Sequence, residues 1–591
     1  MNSPANPEFG WLNNFKHSDP IRAQRNLSLL AKHLDADSFL LLHNSIKELL
    51  PTLPDPDRSL NNLERFFSQS TSKPYWDLIL GDKSGTLLDL LQIFSTSQSF
   101  SDLLISYPDC IDMLGVPLHQ TPSREQLVQE LQAEVDKNPD DASALRALRR
   151  YKQRQVLRIG GNDILRNRPL EEVTRDISQV AEAALEVAMN LARKTLERRY
   201  GIPFNASDVP ASCCILAFGK LGGEELNYSS DIDLMFVYDD DGITKISRGT
   251  PIDNSEFFSR LASEIVRLLS SHTDRGTCYR VDLRLRPEGQ RGPLARSLEG
   301  TLAYYDTLGR TFERQALIKV RTVAGDFNLG AAFIKSIESF VYRRYLSFAE
   351  INEIKALKRR IELQTSKQGL EQTEVKTGRG GIRDIEFTIQ FLQLLNGGDL
   401  PMVRERNTLK ALLALEKEGC LTDQESRVLD DAYRFLRKTE HRLQVLFDLQ
   451  THKLPDKEDE LNKLAQRMGY FSEDHKSPRE LFLEEYKDRT SLTHRILEHL
   501  LHQTFSGDAD QSEPESDIIL DPNPEPDLIR AALEKYRFKN IDAAYQNLLL
   551  LAQESAPFLN QAMQALPCFY CSCTVKKPER DSRSRHGSYE S

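Results

Sequence analysis

The chain has 591 residues, a formal net charge of −11, 39% hydrophobic residues and 28% charged residues. At about 150 residues per domain, this length implies about three to four domains, with cores large enough to need no disulfide support. The acidic balance excludes a globally basic, nucleic-acid-binding surface, and no apolar run reaches the ~18 residues of a membrane span.

In chain order, residues 1–205 read as a helical N-terminal region. The segments 27–34, 39–50 and 84–114 carry leucines at helical spacing. The run Asp136 to Arg158 is highly charged and predicts a solvated helix pair, whereas Val173 to Arg199 predicts one long amphipathic helix. The N-terminus has neither a basic n-region nor an apolar h-region, so no signal peptide is expected. The cysteines are scattered, or set in an apolar run at Cys213 and Cys214. That usage points to buried, reduced thiols and a cytoplasmic protein.

The pattern changes over residues 206–330. Ser212 to Phe218 is a continuous apolar run, as a buried strand requires. A glycine-rich turn follows, then Asp231-Ile232-Asp233 opens a second apolar run, Leu234 to Tyr238. On a strand, residues two apart share a face, so Asp231 and Asp233 point together while Ile232 and Leu234 enter a core. Residues 257–272 predict a helix capped by Asp253, Asn254 or Ser255. In residues 276–297, Tyr279, Val281, Leu283 and Leu285 alternate with Arg280, Asp282, Arg284 and Arg286. This predicts a half-buried strand that stops at Pro287 and Gly289.

Residues 331–505 read as a helical domain, with a basic run at 355–362 and a basic, glycine-rich loop from Lys376 to Arg383. Residues 506–527 are acidic and proline-rich and predict a linker; 528–566 predict a helical segment, and 567–591 a disordered tail. Cys568, Cys571 and Cys573 in that tail form too short and incomplete a set for a zinc site.

Gly219-Lys220, the Asp231/Asp233 pair and Asp282 together carry chemistry that no single one of them carries. Clustered carboxylates repel unless a cation lies between them, and Mg²⁺ (or Mn²⁺) takes oxygen ligands while leaving positions for phosphates. Nucleotidyl transfer uses such an arrangement, with glycines letting backbone N–H groups approach a phosphate. A surface turn followed by a strand capped with acids is the blander explanation. Arg284, Arg286 and Arg291 would neutralise nucleotide or inorganic phosphate, or else pair with local acids. The loop Lys376–Arg383 would cradle a phosphate or an acidic protein surface, or else form a solvated helix start. His272 and His441 sit on helices and are assigned no role. No Walker A, Rossmann or nucleophile–base signature is present.

Four stretches occurring in order, FGKLGGEELNYSSDIDLMFVY, YRVDLRLRPEGQRGPL, YYDTLGRTFERQALIKVR and VKTGRGGIRDIEFTIQFLQLL, closely resemble the glutamine synthetase adenylyltransferase and adenylyl-removing enzyme family. The resemblance implies a predominantly helical α+β fold with a small mixed-sheet nucleotidyltransferase core of the DNA polymerase β-like superfamily. It implies that Asp231, Asp233 and Asp282 are catalytic, metal-binding carboxylates. Gly219, Lys220, Gly222, Gly223, Ser230, Arg284 and Arg286 become nucleotide contacts, with the choice between the two glycine pairs left open. ATP, ADP and inorganic phosphate are the implied small molecules. Glutamine synthetase is the implied protein substrate, with the PII signal protein and glutamine as regulators.

Family members carry two such units, one attaching AMP to a tyrosine and one removing it by phosphorolysis. The wording ELNYSSDIDL is similar to the removing unit, and no second paired-aspartate unit follows Ser506. A truncated or frame-shifted chain is therefore expected, acting by removal of AMP. ATP-dependent adenylylation and a non-catalytic regulatory fragment are the alternatives.

Overall fold

The computed structural model describes residues 11–12, 19–81, 85–115, 122–137, 140–247, 249–347, 373–505 and 526–553, together with scattered residues in 350–358; residues 535, 537 and 539 are not among them. Most of the expected acidic linker, most of the basic run 355–362 and the cysteine-bearing tail lie outside these residues. Two compact units are formed, Met1–Tyr345 with Glu362–Gln503, and Leu346–Ile361 with Thr504–Ser591. The smaller unit includes the helices Pro526–Glu534 and Ile541–Gln553, which pack around Ala532, Leu533 and Tyr545.

The larger unit is predominantly helical with a small mixed sheet, the class expected from the sequence. Its strands are β1 (Ile202–Asn205), β2 (Cys213–Ala217), β3 (Ile232–Tyr238), β4 (Gly242–Lys245), β5 (Val281–Asp282), β6 (Ala295–Ser297) and β7 (Arg321–Gly325). β1 and β4 form a separate antiparallel ribbon. In the main sheet β2 is central, antiparallel to β3 on one side and β7 on the other. The far edge of β3 is shared, because its first residues pair in parallel with β5 and its last with β6. β2 is buried at every position, which explains its unbroken apolar sequence.

The helix Leu170–Tyr200 packs on this sheet. Its boundaries follow from its sequence: Pro169 fixes the entry, Glu171 and Glu172 sit in the first turn, and Arg198 and Arg199 sit in the last. These charges complement the helix dipole. Gly201 then leaves the helix at φ 85°, a conformation open to glycine. One apolar core runs from the N-terminal helices through the sheet, and a second occupies Val375 to Leu500.

The charged run 136–158 departs from expectation. It lies on the helices Arg124–Asp136 and Asp141–Arg166, but Arg149 and Arg158 are buried. For Arg149 the reason is the neighbouring helix Asn254–Ser270. Its last carbonyls have no intrahelical partner, and the Arg149 guanidinium takes Leu268 O at 3.1 Å and Ser271 O, with Gly276 O at 3.0 Å. A charge that reads as solvated in sequence is thus a cap for another helix. No described helix is long and apolar enough to cross a membrane.

Leu185, at the centre of Leu170–Tyr200, has no exposed surface. Leu185→Ala removes buried methyl groups and leaves a cavity, for an expected loss of about 2–5 kcal/mol, read as a lower urea midpoint with an unchanged slope.

Candidate active site

β3 and β5 run in parallel with Ile232 opposite Val281 and Asp233 opposite Asp282. Register partners present their side chains on the same face, so the two aspartates are neighbours across adjacent strands. Asp231 precedes β3 by one residue and keeps the alternation, while Ile232 and Leu234 are fully buried on the other face. The Ile232 N–H donates to Arg280 O at 3.0 Å, extending the parallel pairing one residue before the strand. Sequence reasoning grouped these three carboxylates; the register sets Asp233 beside Asp282, and Asp231 stands two residues before Asp233, just ahead of β3.

Each carboxylate has a different environment. Asp231 accepts from Arg280 Nε, whose guanidinium also reaches Ser229 O at 2.7 Å. Asp282 accepts from Arg284 Nη2 at 2.6 Å and from the Arg284 backbone N–H at 2.8 Å. Those bonds hold its carboxyl below the usual carboxylate range. Asp233 has no arginine bonded to it. Burial, followed by the charges of Asp282 and Asp231, pushes its carboxyl up to about 6.

Gly219 closes the site from the side of the turn. Its φ is +54°, and a Cβ placed there would lie 2.8 Å from Asp233 Oδ2. The position therefore demands glycine on both conformational and steric grounds.

Other predicted contacts are placed differently. The strand expected over 279–286 shrinks to the two residues of β5, because the Arg284 N–H turns back onto the Asp282 side chain. Arg286 is buried, and its guanidinium donates to Leu283 O, Gly292 O and Pro293 O at 2.7, 3.0 and 3.1 Å. It holds the turn after β5 instead of facing a phosphate. Lys220 points inward to Glu440 Oε2 at 3.2 Å, and burial pushes its ammonium down to about 8. A Cβ on Gly222 would stand 2.0 Å from Lys319 O, and one on Gly223 would stand 3.0 Å from Arg406 O. Gly223 also stands against the Glu225 carboxylate, its Cβ position 3.0 Å from Oε1, so of these glycines only Gly219 abuts one of the three aspartates. Ser230 is half-exposed beside Asp231, and Arg284 is largely exposed.

The residues between the turn and β3 are gripped by the helix Asp423–Phe447. Asn227 Nδ2 donates to Glu440 at 2.6 Å and Arg437 donates to Asn227 Oδ1 at 2.6 Å. Tyr228 OH donates to Asp163 at 2.9 Å, and Arg442 holds Asp163 at 2.7 and 2.9 Å. Ser229 Oγ donates to Asp448 at 2.7 Å. His452 Nδ1 lies 2.8 Å from Glu440. Burial alone would raise the Glu440 carboxyl, but Lys220, His452 and Arg437 together hold it well below the usual range.

His441, assigned no role from sequence, is buried against Tyr228; burial, with Arg437 beside it, pushes its imidazole down to about 3 and keeps it neutral. Sequence reasoning missed Asp163, Arg437, Glu440 and Arg442. For Arg437, Glu440 and Arg442 the available signal was charged residues set among the apolar stripe of one long helix; Asp163 lies on another helix and carried no such signal.

Asp231, Asp233 and Asp282 are the oxygen donors a hard divalent cation would use. Among the described residues no three His, Cys, Asp or Glu side chains converge as a ready ligand group. Two of these carboxylates are turned onto arginines. A cavity of about 620 Å³, bounded by Arg175, Glu224, Lys410, Asp430 and Arg434 among others, includes none of them.

Glu440→Gln is expected to destabilise the protein at pH 7. A depressed carboxyl contributes stability above its unfolded value of about 4.3 and loses it as pH falls toward the folded value. The difference between wild type and Glu440→Gln should therefore shrink below about pH 4, measured by urea unfolding across pH.

Residues 87–336 match the family described as "Glutamate-ammonia ligase adenylyltransferase", and residues 352–501 match "GlnD PII-uridylyltransferase". Among curated relatives, the bifunctional glutamine synthetase adenylyltransferase/adenylyl-removing enzyme of Nitrosococcus oceani is 36% identical over 416 residues, covering 70% of this chain and 42% of the relative. Proteins of the same name from Hahella chejuensis and Vibrio parahaemolyticus are 36% and 38% identical, covering 67% and 64% of this chain and 42% and 38% of their own length. The chain thus spans about two-fifths of the relatives it matches. Those matches, with all three carboxylates and the glycine turn inside residues 87–336, make this chain a member of the glutamate-ammonia ligase adenylyltransferase family.

Proposed function

We propose that this chain removes AMP from an adenylylated tyrosine of glutamine synthetase, with inorganic phosphate as acceptor and ADP as product. The observation that carries the reading is the register of Asp233 with Asp282, with Asp231 beside them and the Gly219 backbone against Asp233. The direction of the reaction is taken from the similarity of ELNYSSDIDL to the removing unit of the family.

In this reaction an oxygen of hydrogen phosphate attacks the α-phosphorus of tyrosyl-AMP. The bond from phosphorus to the tyrosine oxygen breaks, a P–O–P bond forms, and the phosphate proton ends on the tyrosine hydroxyl. The nucleophile is the phosphate itself, so no protein nucleophile is required. Mg²⁺ or Mn²⁺ held by Asp231, Asp233 and Asp282 would polarise the phosphodiester and offset the charge that develops on it. The donor set fits such an ion by chemistry, and the Asp233 carboxyl, raised by burial and then by the charges of Asp282 and Asp231, is where a cation would relieve most.

Arg280 and Arg284 are both substantially exposed, so either can swing from its aspartate toward a substrate phosphate. The apolar residues Ile232 and Leu234 fix the strand beneath the carboxylates. A PII signal protein and glutamine are the regulators this reading brings with it, and the match over residues 352–501 supports the first. Free, buried Cys110, Cys213, Cys214 and Cys278 support a reducing, cytoplasmic setting.

The direct test is adenylylated glutamine synthetase incubated with the chain, phosphate and Mg²⁺. ADP should appear, and chelation with EDTA should stop its formation. Changing Asp231 and Asp233 together to Asn should lower the rate by on the order of 100-fold or more with an unchanged circular dichroism spectrum. Full activity in that double variant overturns the site. Label passing from ATP to unmodified glutamine synthetase, with no ADP formed from the adenylylated protein, would establish the forward reaction instead.

A further inference from the structure

The glycine-rich loop leading into the helix Ile382–Asn396 carries three cations, and the fold sends them to different places. Arg379 is directed outward, with Nε 2.6 Å from His494 Nε2 and Nη2 3.7 Å from Glu498. Beside it, Gly380 is pressed onto the backbone of the helix Pro478–Phe505, where a Cβ would meet Thr490 O at 2.1 Å. Arg383 lies within the first turn of its own helix, half-exposed. Lys376 is half-buried, and its ammonium has no hydrogen-bond or ion-pair partner among the described residues.

The backbone around Lys376 is fixed. The Val375 N–H donates to His452 O at 2.8 Å, the Leu454 N–H to Thr373 O at 2.8 Å, and the Arg383 N–H to Lys376 O at 2.9 Å. Val375 itself is fully buried. The segment it pairs with belongs to the carboxylate site, because His452 holds Glu440, Glu440 holds Lys220, and Lys220 follows the Gly219 that abuts Asp233. The same hub thus pins Lys376 and the glycine turn. The charge of Lys376 is felt at both ends of that chain: after burial and the neighbouring aspartates have raised the Asp233 carboxyl it opposes that rise, and it adds slightly to the fall that burial causes at the Lys220 ammonium. An ammonium with no bonded partner among the described residues keeps its donors for an anion that enters the site.

We propose that Lys376 is the cation that binds the acceptor phosphate, its ammonium contacting the oxygens that become the β-phosphate of ADP. The proposal rests on the phosphorolytic reading above and adds a residue from outside the nucleotidyltransferase sheet. A compact, strongly hydrated ammonium suits a tetrahedral oxyanion approached from one side. The carboxylates would otherwise repel that anion, so an opposing fixed charge lowers the cost of bringing it to them.

The experiment compares ADP and AMP, which differ by that phosphate, as ligands of the full chain in the presence of Mg²⁺ by calorimetry. Wild type should bind ADP more tightly than AMP. Lys376→Met should weaken ADP by roughly tenfold to a hundredfold and leave AMP unchanged, and Lys376→Arg should recover most of the loss. In the coupled reaction, Lys376→Met should raise the KM for phosphate by a similar factor while leaving the KM for adenylylated glutamine synthetase unchanged. A matching thermal unfolding curve for Lys376→Met checks the fold. If wild type prefers ADP and Lys376→Met keeps that preference, the proposal fails while the phosphorolytic reading stands. Equal weakening of ADP and AMP assigns Lys376 a structural role and also overturns it. Wild type that binds neither nucleotide overturns both.

Discussion

Glu440 is a carboxylate with no exposed surface, and it stays ionised because Lys220, Asn227, Arg437 and His452 surround it. Each partner belongs to a different piece of the site. Lys220 is in the glycine turn, Asn227 in the approach to β3, and His452 on the segment that holds the loop around Lys376. A buried ion costs several kcal/mol to desolvate, and removing one member of such a set typically costs about 3–5 kcal/mol because the others are left unpaired. The arrangement is therefore close to all-or-none. The loops occupy one relative placement or the whole set of buried charges is exposed at once.

That constraint explains how three aspartates with one chemistry acquire three environments. Backbone register sets Asp233 beside Asp282, and the arginines two residues after Asp282 and one before Val281 take one carboxylate each. Asp233 is left between them with its charge poorly compensated, against a glycine that offers no side chain. On the proposed reading, a carboxylate short of a counter-charge is where an external cation would be taken up, as three fully paired aspartates would not allow.

Two strands, β2 and β3, were legible because their signals are local, whereas β1, β4 and β7 were not read from the sequence. The continuous run of β2, the alternation of Asp231 and Asp233, and the long amphipathic helix Leu170–Tyr200 all follow from side-chain periodicity. What escaped was decided by distant partners. Nothing in the neighbourhood of Arg149 reveals that the end of another helix needs a donor, and nothing near Arg286 reveals that its guanidinium is held by the carbonyls of its own turn. Lys220 reads as a phosphate contact until the fold places a buried glutamate, 220 residues further on, within its reach. Charged residues are ambiguous in sequence because their partner, and not their type, decides between surface, scaffold and site.

The bonds that seat the Asp231 approach join residues far apart along the chain: Asn227 to Glu440 spans 213 positions, and Asp163 to Arg442 spans 279. Loop closure of that size is slow and is rewarded only when both ends are in place. During synthesis the sheet and its aspartates emerge well before the helix that aligns them. Order around the carboxylates is thus tied to completion of the larger unit, and a nascent chain bearing all three aspartates would still lack the contacts that seat them. The fold acts as its own timer, setting the aspartates only when the last long-range contact closes.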